Sequence, residues 1–103
     1  FILALRTQVA EGPGNVKVLE IYPPAVQTEL HDPKHQPDLK NGHLIGMPLD
    51  EFVGEVWRRL QAGEDQIAVG SANDIYEAFE TKRQSLYAEM TAMLNGLLKQ
   101  FLV

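Results

Sequence analysis

The sequence predicts an α/β fold, with two parallel strands flanked by helices and a long helix at the C-terminal end. Three observations carry this. Residues 15–22 and 66–70 are short apolar runs bounded by Gly and Pro, as strands are. Residues 48–62 between them have strict helical apolar spacing. The order helix, strand, loop, helix, strand, helix implies crossovers, and crossovers imply parallel pairing.

Each element has its own reason. In residues 1–11, Ile2, Leu5 and Val9 fall on one helical stripe, with Leu3 and Ala4 beside it, and Gly12-Pro13-Gly14 ends the helix. In 15–22, Val16, Val18, Leu19 and Ile21 make a mostly apolar run suited to a strand covered on both faces. Pro23 and Pro24 end it, since neither can donate a ladder hydrogen bond. Residues 31–47 are polar and contain Pro33, Pro37, Gly42 and Gly46, the composition of a long lid-like loop. In 48–62, Leu49, Phe52, Val53, Val56, Trp57 and Leu60 form one apolar face. Pro48 suits the first turn, Asp50 and Glu51 complement the helix dipole, and Gly63 stops the helix. After the strand QIAVG, Ser71 or Asn73 offers an N-cap for a helix running toward Val103. Ile75, Phe79, Leu86, Met90, Met93, Leu97 and Phe101 give it a nearly heptad seam, widened by Tyr87, Leu94 and Leu98 and weakened by Gly96.

With 103 residues, 45% hydrophobic and 22% charged, the whole chain, 1–103, reads as one domain with a modest core. A net charge of −5 argues against nucleic acid or an anionic membrane as partner. The pairs Arg58-Arg59 and Lys82-Arg83 lie among acids and read as solvated helix faces. Without cysteine there is no disulfide framework, thiolate nucleophile or Cys-based metal site. No apolar run has the length of a membrane span and no signal segment opens the chain, so a cytoplasmic setting is expected. The chain opens at Phe1 within an apolar periodic segment, so its natural start is expected upstream. Two parallel strands both have open edges. An upstream segment or a second copy of the chain is expected to cover them.

In an open α/β sheet the ligand lies beyond the carboxyl ends of the strands, which places function in residues 25–28. Other constellations have simpler explanations. His31, His35 and His43 with Asp32 and Asp38 share one loop, but Pro33 and Pro37 prevent a helix that would align His31 with His35. A polar lid fits these residues better than a metal site, and no metal ligand is assigned. Asp50-Glu51 serves a helix start, and Glu64-Asp65 a solvated turn. Trp57 reads as core or as the anchor of a subunit contact.

The succession LALRTQ, VKVLEI, PPAVQTEL, MPLDEFVGEVWRRLQAG and QIAVG, covering residues 1–72, resembles the C-terminal part of a short-chain dehydrogenase/reductase. In that family the turn after the sixth strand usually reads Pro-Gly-x-Val-x-Thr. Pro23, Pro24, Ala25, Val26, Gln27 and Thr28 stand in that order here, with Pro24 replacing the glycine, and some branches resemble this chain in carrying Pro-Pro. The resemblance implies an incomplete Rossmann-like sheet and NAD or NADP as cofactor. It implies that Pro23, Pro24, Val26 and Thr28 form the cofactor-side turn. The Val26 backbone and the Thr28 hydroxyl would hold the nicotinamide carboxamide. Leu30 and His31 would belong to the substrate lid. Subunit contacts are implied for 49–70. With the long helix added, Phe52, Trp57, Met90 and Leu97 are the expected interface residues of a homo-oligomer, a dimer.

The chain departs from the family in what it lacks. There is no Gly-rich phosphate loop, and Tyr22, Tyr76 and Tyr87 are followed four residues on by Val26, Glu80 and Thr91 instead of the lysine of Tyr-x-x-x-Lys. No catalytic residue is therefore assigned, and no tight NAD(P) binding by this chain alone is expected. Two functions follow as expectations. One is the C-terminal portion of an NAD(P)-dependent oxidoreductase, completed by a missing N-terminal half. The other is a non-catalytic oligomeric binding or structural module derived from that fold.

Overall fold

A core of very few side chains holds this protein together. The computed structural model describes residues 1–102. Among them, Leu3, Val56, Ile67, Ala68 and Val69 are the buried apolar residues. The element order is α1 (Ile2–Glu11), β1 (Glu20–Tyr22), α2 (Leu49–Gln61), β2 (Gln66–Ala68), α3 (Ser71–Ile75), a π-helical segment (Tyr76–Glu80) and α4 (Thr81–Leu98). Short 3-10 turns at Glu29–His31 and Gly42–Leu44 interrupt the loop between β1 and α2. The fold is mixed helix and strand, with two parallel strands and a long C-terminal helix, as the alternation of elements predicts.

β1 and β2 pair in parallel with Glu20 opposite Gln66, Ile21 opposite Ile67 and Tyr22 opposite Ala68. The Val69 amide extends the pairing by donating to the Tyr22 carbonyl at 3.1 Å. The first strand is much shorter than the apolar run that predicts it. Ladder length is set by the partner, and residues 62–65, which would face 16–19 in this parallel register, form the turn that ends α2. Val16 and Leu19, expected in a strand covered on both faces, lie outside the ladder and are exposed, as is Ile21 within it.

α2 buries one of two adjacent stripes. Val56 joins Ile67 and Val69 in the core, with Phe52, Leu60 and Met47 packed against them. Leu49, Val53 and Trp57, the neighbouring i, i+4, i+8 stripe, stay exposed, and Trp57 keeps 60% of its surface. Trp57 is thus not a core residue of this chain. The two strands are too narrow to cover both stripes. The helix ends in a Schellman motif: the Gly63 amide donates to the Leu60 carbonyl at 3.0 Å and the Glu64 amide to the Arg59 carbonyl at 3.1 Å. The Arg59 side chain fastens this end to the sheet, donating to the Ala68 carbonyl and pairing with Glu64 at 3.0 Å.

α1 docks through polar side chains as much as through apolar ones. Leu3 is its buried residue. Arg6 Nη1 meets Glu20 Oε1 at 2.7 Å as an ion pair without an aligned hydrogen bond, and Arg6 Nη2 reaches the Val18 and Asp65 carbonyls at 3.4 Å each. The Thr7 and Tyr87 hydroxyls lie 3.3 Å apart and link α1 to α4.

The C-terminal helix differs from its prediction in three ways. Neither Ser71 nor Asn73 caps it. Gly70 holds the N-cap position with no side-chain cap, and Asn73 instead donates to Glu77 at 3.1 Å. The seam is also not continuous. The π-helical segment holds about one residue more than an α-helical turn, so residues before it slip by about 100° relative to those after it. Finally, the α-helix itself stops at Leu98, and the expected end at Val103 lies outside the described residues. Leu86, Met90, Met93 and Leu97 are all exposed. The molecule is elongated, 64 Å in its longest dimension. Its radius of gyration is 19.1 Å, against about 13 Å for a compact chain of this length.

Candidate functional site

The turn after β1 is built by prolines and held by a distant loop residue. Pro23 and Pro24 carry the chain out of the ladder, and Pro24 packs so close to Gly70 that a Cβ there would stand 3.3 Å from the proline ring. The ends of both strands therefore meet at this turn. Val26 then forms an isolated parallel bridge with Met47. Met47 donates to the Ala25 carbonyl and accepts from the Gln27 amide, each at 2.9 Å. In a parallel bridge the residue between those two bonds turns its own N–H and C=O to the opposite side. Val26 thus keeps one donor and one acceptor that the bridge does not use.

Thr28 caps the following 3-10 turn, its hydroxyl accepting from the Leu30 amide at 3.3 Å. The hydroxyl proton remains free to donate. Gln27 ties the turn to the far end of the loop, donating to the Leu44 and Gly46 carbonyls at 3.3 and 3.0 Å. The predicted long lid is in fact pinned back to the turn along these contacts.

Thr28 and Leu30 line an open cleft of about 410 Å³ with Glu29, His35 and Gln36. His31 does not line it; its Nδ1 lies 2.8 Å from Gln36 Oε1. His35 approaches Glu29 at 3.9 Å. Among the described residues no group of three or more His, Asp or Glu side chains is arranged to hold a metal ion.

A second cavity, of about 320 Å³, opens at the end of β1. Ile21, Tyr22 and Pro23 line one side, and Ile75, Tyr76 and Phe79 the other. Three of its lining residues, Tyr22, Tyr76 and Glu80, belong to a polar chain that the sequence did not reveal. The Tyr22 and Tyr76 rings meet edge to face at 5.4 Å. Tyr22 donates to Glu20 at 2.8 Å and Tyr76 to Gln66 at 2.7 Å. Gln84 joins Gln66 to Glu80, which pairs with Arg83. Burial, followed by the bond to Glu20, pushes the Tyr22 phenol well above its ordinary range. The Arg83 hydrogen bond holds the Glu80 carboxyl below its usual value. The placement of Tyr22 directly before Pro23 was the available signal, because it puts an aromatic ring at a strand end.

Of the predicted interface residues, Trp57, Met90 and Leu97 are exposed, whereas Phe52 packs against the core within the chain. No described helix is long and apolar enough to cross a membrane. Comparison with protein-family models, curated proteins and solved structures gives no match.

Proposed function

We propose that this chain supplies the nicotinamide side of an NAD(P) site, as the C-terminal portion of a cytoplasmic short-chain oxidoreductase with a partial Rossmann-like sheet. The observation that carries this reading is the Val26–Met47 bridge, which leaves the Val26 N–H and C=O unused beside a free Thr28 hydroxyl proton. A ring carboxamide offers one carbonyl acceptor and an NH₂ donor, and this turn presents the complementary pair. The prolines fix the turn, so little chain entropy is lost on binding. The turn also follows the carboxyl end of a parallel strand, where open sheets bind ligands. In this reading the pyrophosphate cradle and the proton donor come from other residues than these, and the chain alone binds weakly and does not catalyse hydride transfer.

The test is a nitrogen-15 NMR titration of the chain with nicotinamide mononucleotide, using AMP as the control. Millimolar nicotinamide mononucleotide is expected to shift the Val26, Gln27 and Thr28 amides, and AMP to leave them in place. Equal effects from both compounds, or none from the first, overturn the reading.

A second reading, a non-catalytic oligomeric module, is favoured by the exposed apolar residues of α4. An intact mass near 11.5 kDa for the polypeptide from its source, with no response to nicotinamide mononucleotide, supports it over the first.

A further inference from the structure

Asn-Gly occurs twice in this chain, at 41–42 and at 95–96. A glycine after asparagine leaves the side-chain amide most open to attack by the next main-chain nitrogen, since no Cβ shields that nitrogen. The two pairs share this chemistry and lie in opposite surroundings.

Asn95 and Gly96 are inside α4. There the helical ladder commits the Gly96 amide to the Ala92 carbonyl. The Asn95 carbonyl holds the Lys99 amide at 3.2 Å. The nucleophile is occupied, and the rotation about ψ that would bring it to the side chain is locked.

Asn41 and Gly42 open the second 3-10 turn, with Asn41 at its N-cap. As the first residue of that turn, Gly42 finds no carbonyl within it for its amide. Among the described residues no other backbone carbonyl accepts that amide either. The Asn41 side chain makes no capping bond, and the residue is exposed. Its backbone stands at φ 55° and ψ 37°, in the left-handed region that strains a residue with a Cβ. Rotation about ψ therefore leads out of a costly conformation. Nucleophile, electrophile and rotation are all available at this pair.

We propose that Asn41 is a site of spontaneous deamidation, and that the isoaspartate formed there releases the loop from the turn it is pinned to. The Gly42 nitrogen gives up its proton and bonds to Asn41 Cγ. The bond from Cγ to the side-chain nitrogen breaks, and that nitrogen takes a proton and leaves as ammonia. Water then opens the resulting succinimide at either carbonyl, giving aspartate or isoaspartate. Water is the only co-reactant, so the inference is independent of the nicotinamide reading.

The release follows from the packing of Gly42. That residue is buried, and a Cβ on it would collide with the His31 carbonyl. Isoaspartate adds one methylene to the main chain immediately before it. Gly42 then cannot keep both its approach to His31 and the turn closed by the Leu44 amide on the Asn41 carbonyl, at 3.0 Å. The turn at Glu29–His31, which Thr28 caps beside the open cleft, loses its contact with the far end of the loop.

Trypsin separates the two pairs, because peptides 41–58 and 84–99 each follow and end on a Lys or Arg and each contain one asparagine. The folded chain is incubated in mildly alkaline buffer, and each peptide is followed by the mass gain of amide-to-acid exchange. Peptide 41–58 should convert about tenfold faster than 84–99, since reaction at Asn95 must await local opening of the helix. In concentrated urea the two rates should converge. Equal rates in the folded chain, faster conversion at Asn95, or none at Asn41 overturn the site. A difference that persists undiminished in urea overturns its structural basis. The isoaspartyl form, separated by chromatography, should exchange its Leu44 and Ile45 amides faster than the unchanged chain. Its Val69 amide, bonded to Tyr22 in the strand pair, should exchange as before. Asn41→Asp carries the charge without the methylene and should match the unchanged chain at all three amides. Unaltered exchange in the isoaspartyl form, or equal acceleration in Asn41→Asp, overturns the release.

Discussion

Arg6 of α1 and Glu20 of β1 form an ion pair at 2.7 Å, with side chains only 20% and 16% exposed. Glu20 also accepts the Tyr22 hydroxyl, so the carboxylate joins the first helix to the strand-end cavity. Truncating the cation leaves a half-buried carboxylate without its charge partner. Arg6→Ala is expected to lower the unfolding free energy by about 2 kcal/mol in a urea titration. A loss under about 0.5 kcal/mol would show the pair to be solvated.

Tyr22 predicts a one-sided pH dependence. Its phenol holds its proton more tightly in the fold than in the unfolded chain. The resulting stabilisation is complete below about pH 10, the ordinary phenol value, and declines as pH rises above it. Tyr22→Phe should flatten that decline. In an absorbance titration, Tyr22 should ionise only as the protein unfolds.

Two glycines should respond in opposite directions. Gly46 has φ 95°, and a Cβ there would collide with the Ala25 backbone beside the Val26–Met47 bridge. Gly46→Ala should destabilise by about 2 kcal/mol and raise hydrogen exchange at the Gln27 and Met47 amides. Gly54 lies within α2 facing open space, so Gly54→Ala should stabilise by about 0.5–1 kcal/mol. Thermal melts of both variants check the pair.

Thr28→Val tests the proposed carboxamide contact. It should weaken nicotinamide mononucleotide binding by about 1 kcal/mol, roughly fivefold. Thr28→Ser keeps the hydroxyl and should bind as the unchanged chain does. Equal binding by all three removes Thr28 from the site.

Residues whose environment is set locally were legible in the sequence. The α2 helix could be read from the spacing of Phe52, Val56 and Leu60 and from its stop at Gly63, and β2 from three consecutive apolar residues. Val16 and Leu19 misled because their fate depends on how far β2 extends, which residues 15–22 do not encode. Trp57 and Phe52 share one apolar arc on a helical projection, and only the width of the sheet decides which one meets the core. At the candidate site the proline turn was visible, because proline acts through its own ring. The Tyr22–Tyr76 contact was not, because it joins residues brought together only by parallel pairing. The missed π-helical segment has a related cause: hydropathy records which residues are apolar, not how many share a turn.

That segment gives the tail a tally of residues that matters more than their identity. With one surplus residue at 76–80, Ile75 and Phe79 border the open cavity at Pro23, while the oily positions from Leu86 onward lie on another side of the helix. Wound as a regular α-helix with the same residues, the segment would bring the two groups into a single line, stripping the cavity wall to lengthen the outer stripe. The looser winding at this one place gives the tail two oily flanks where an even coil would give it one.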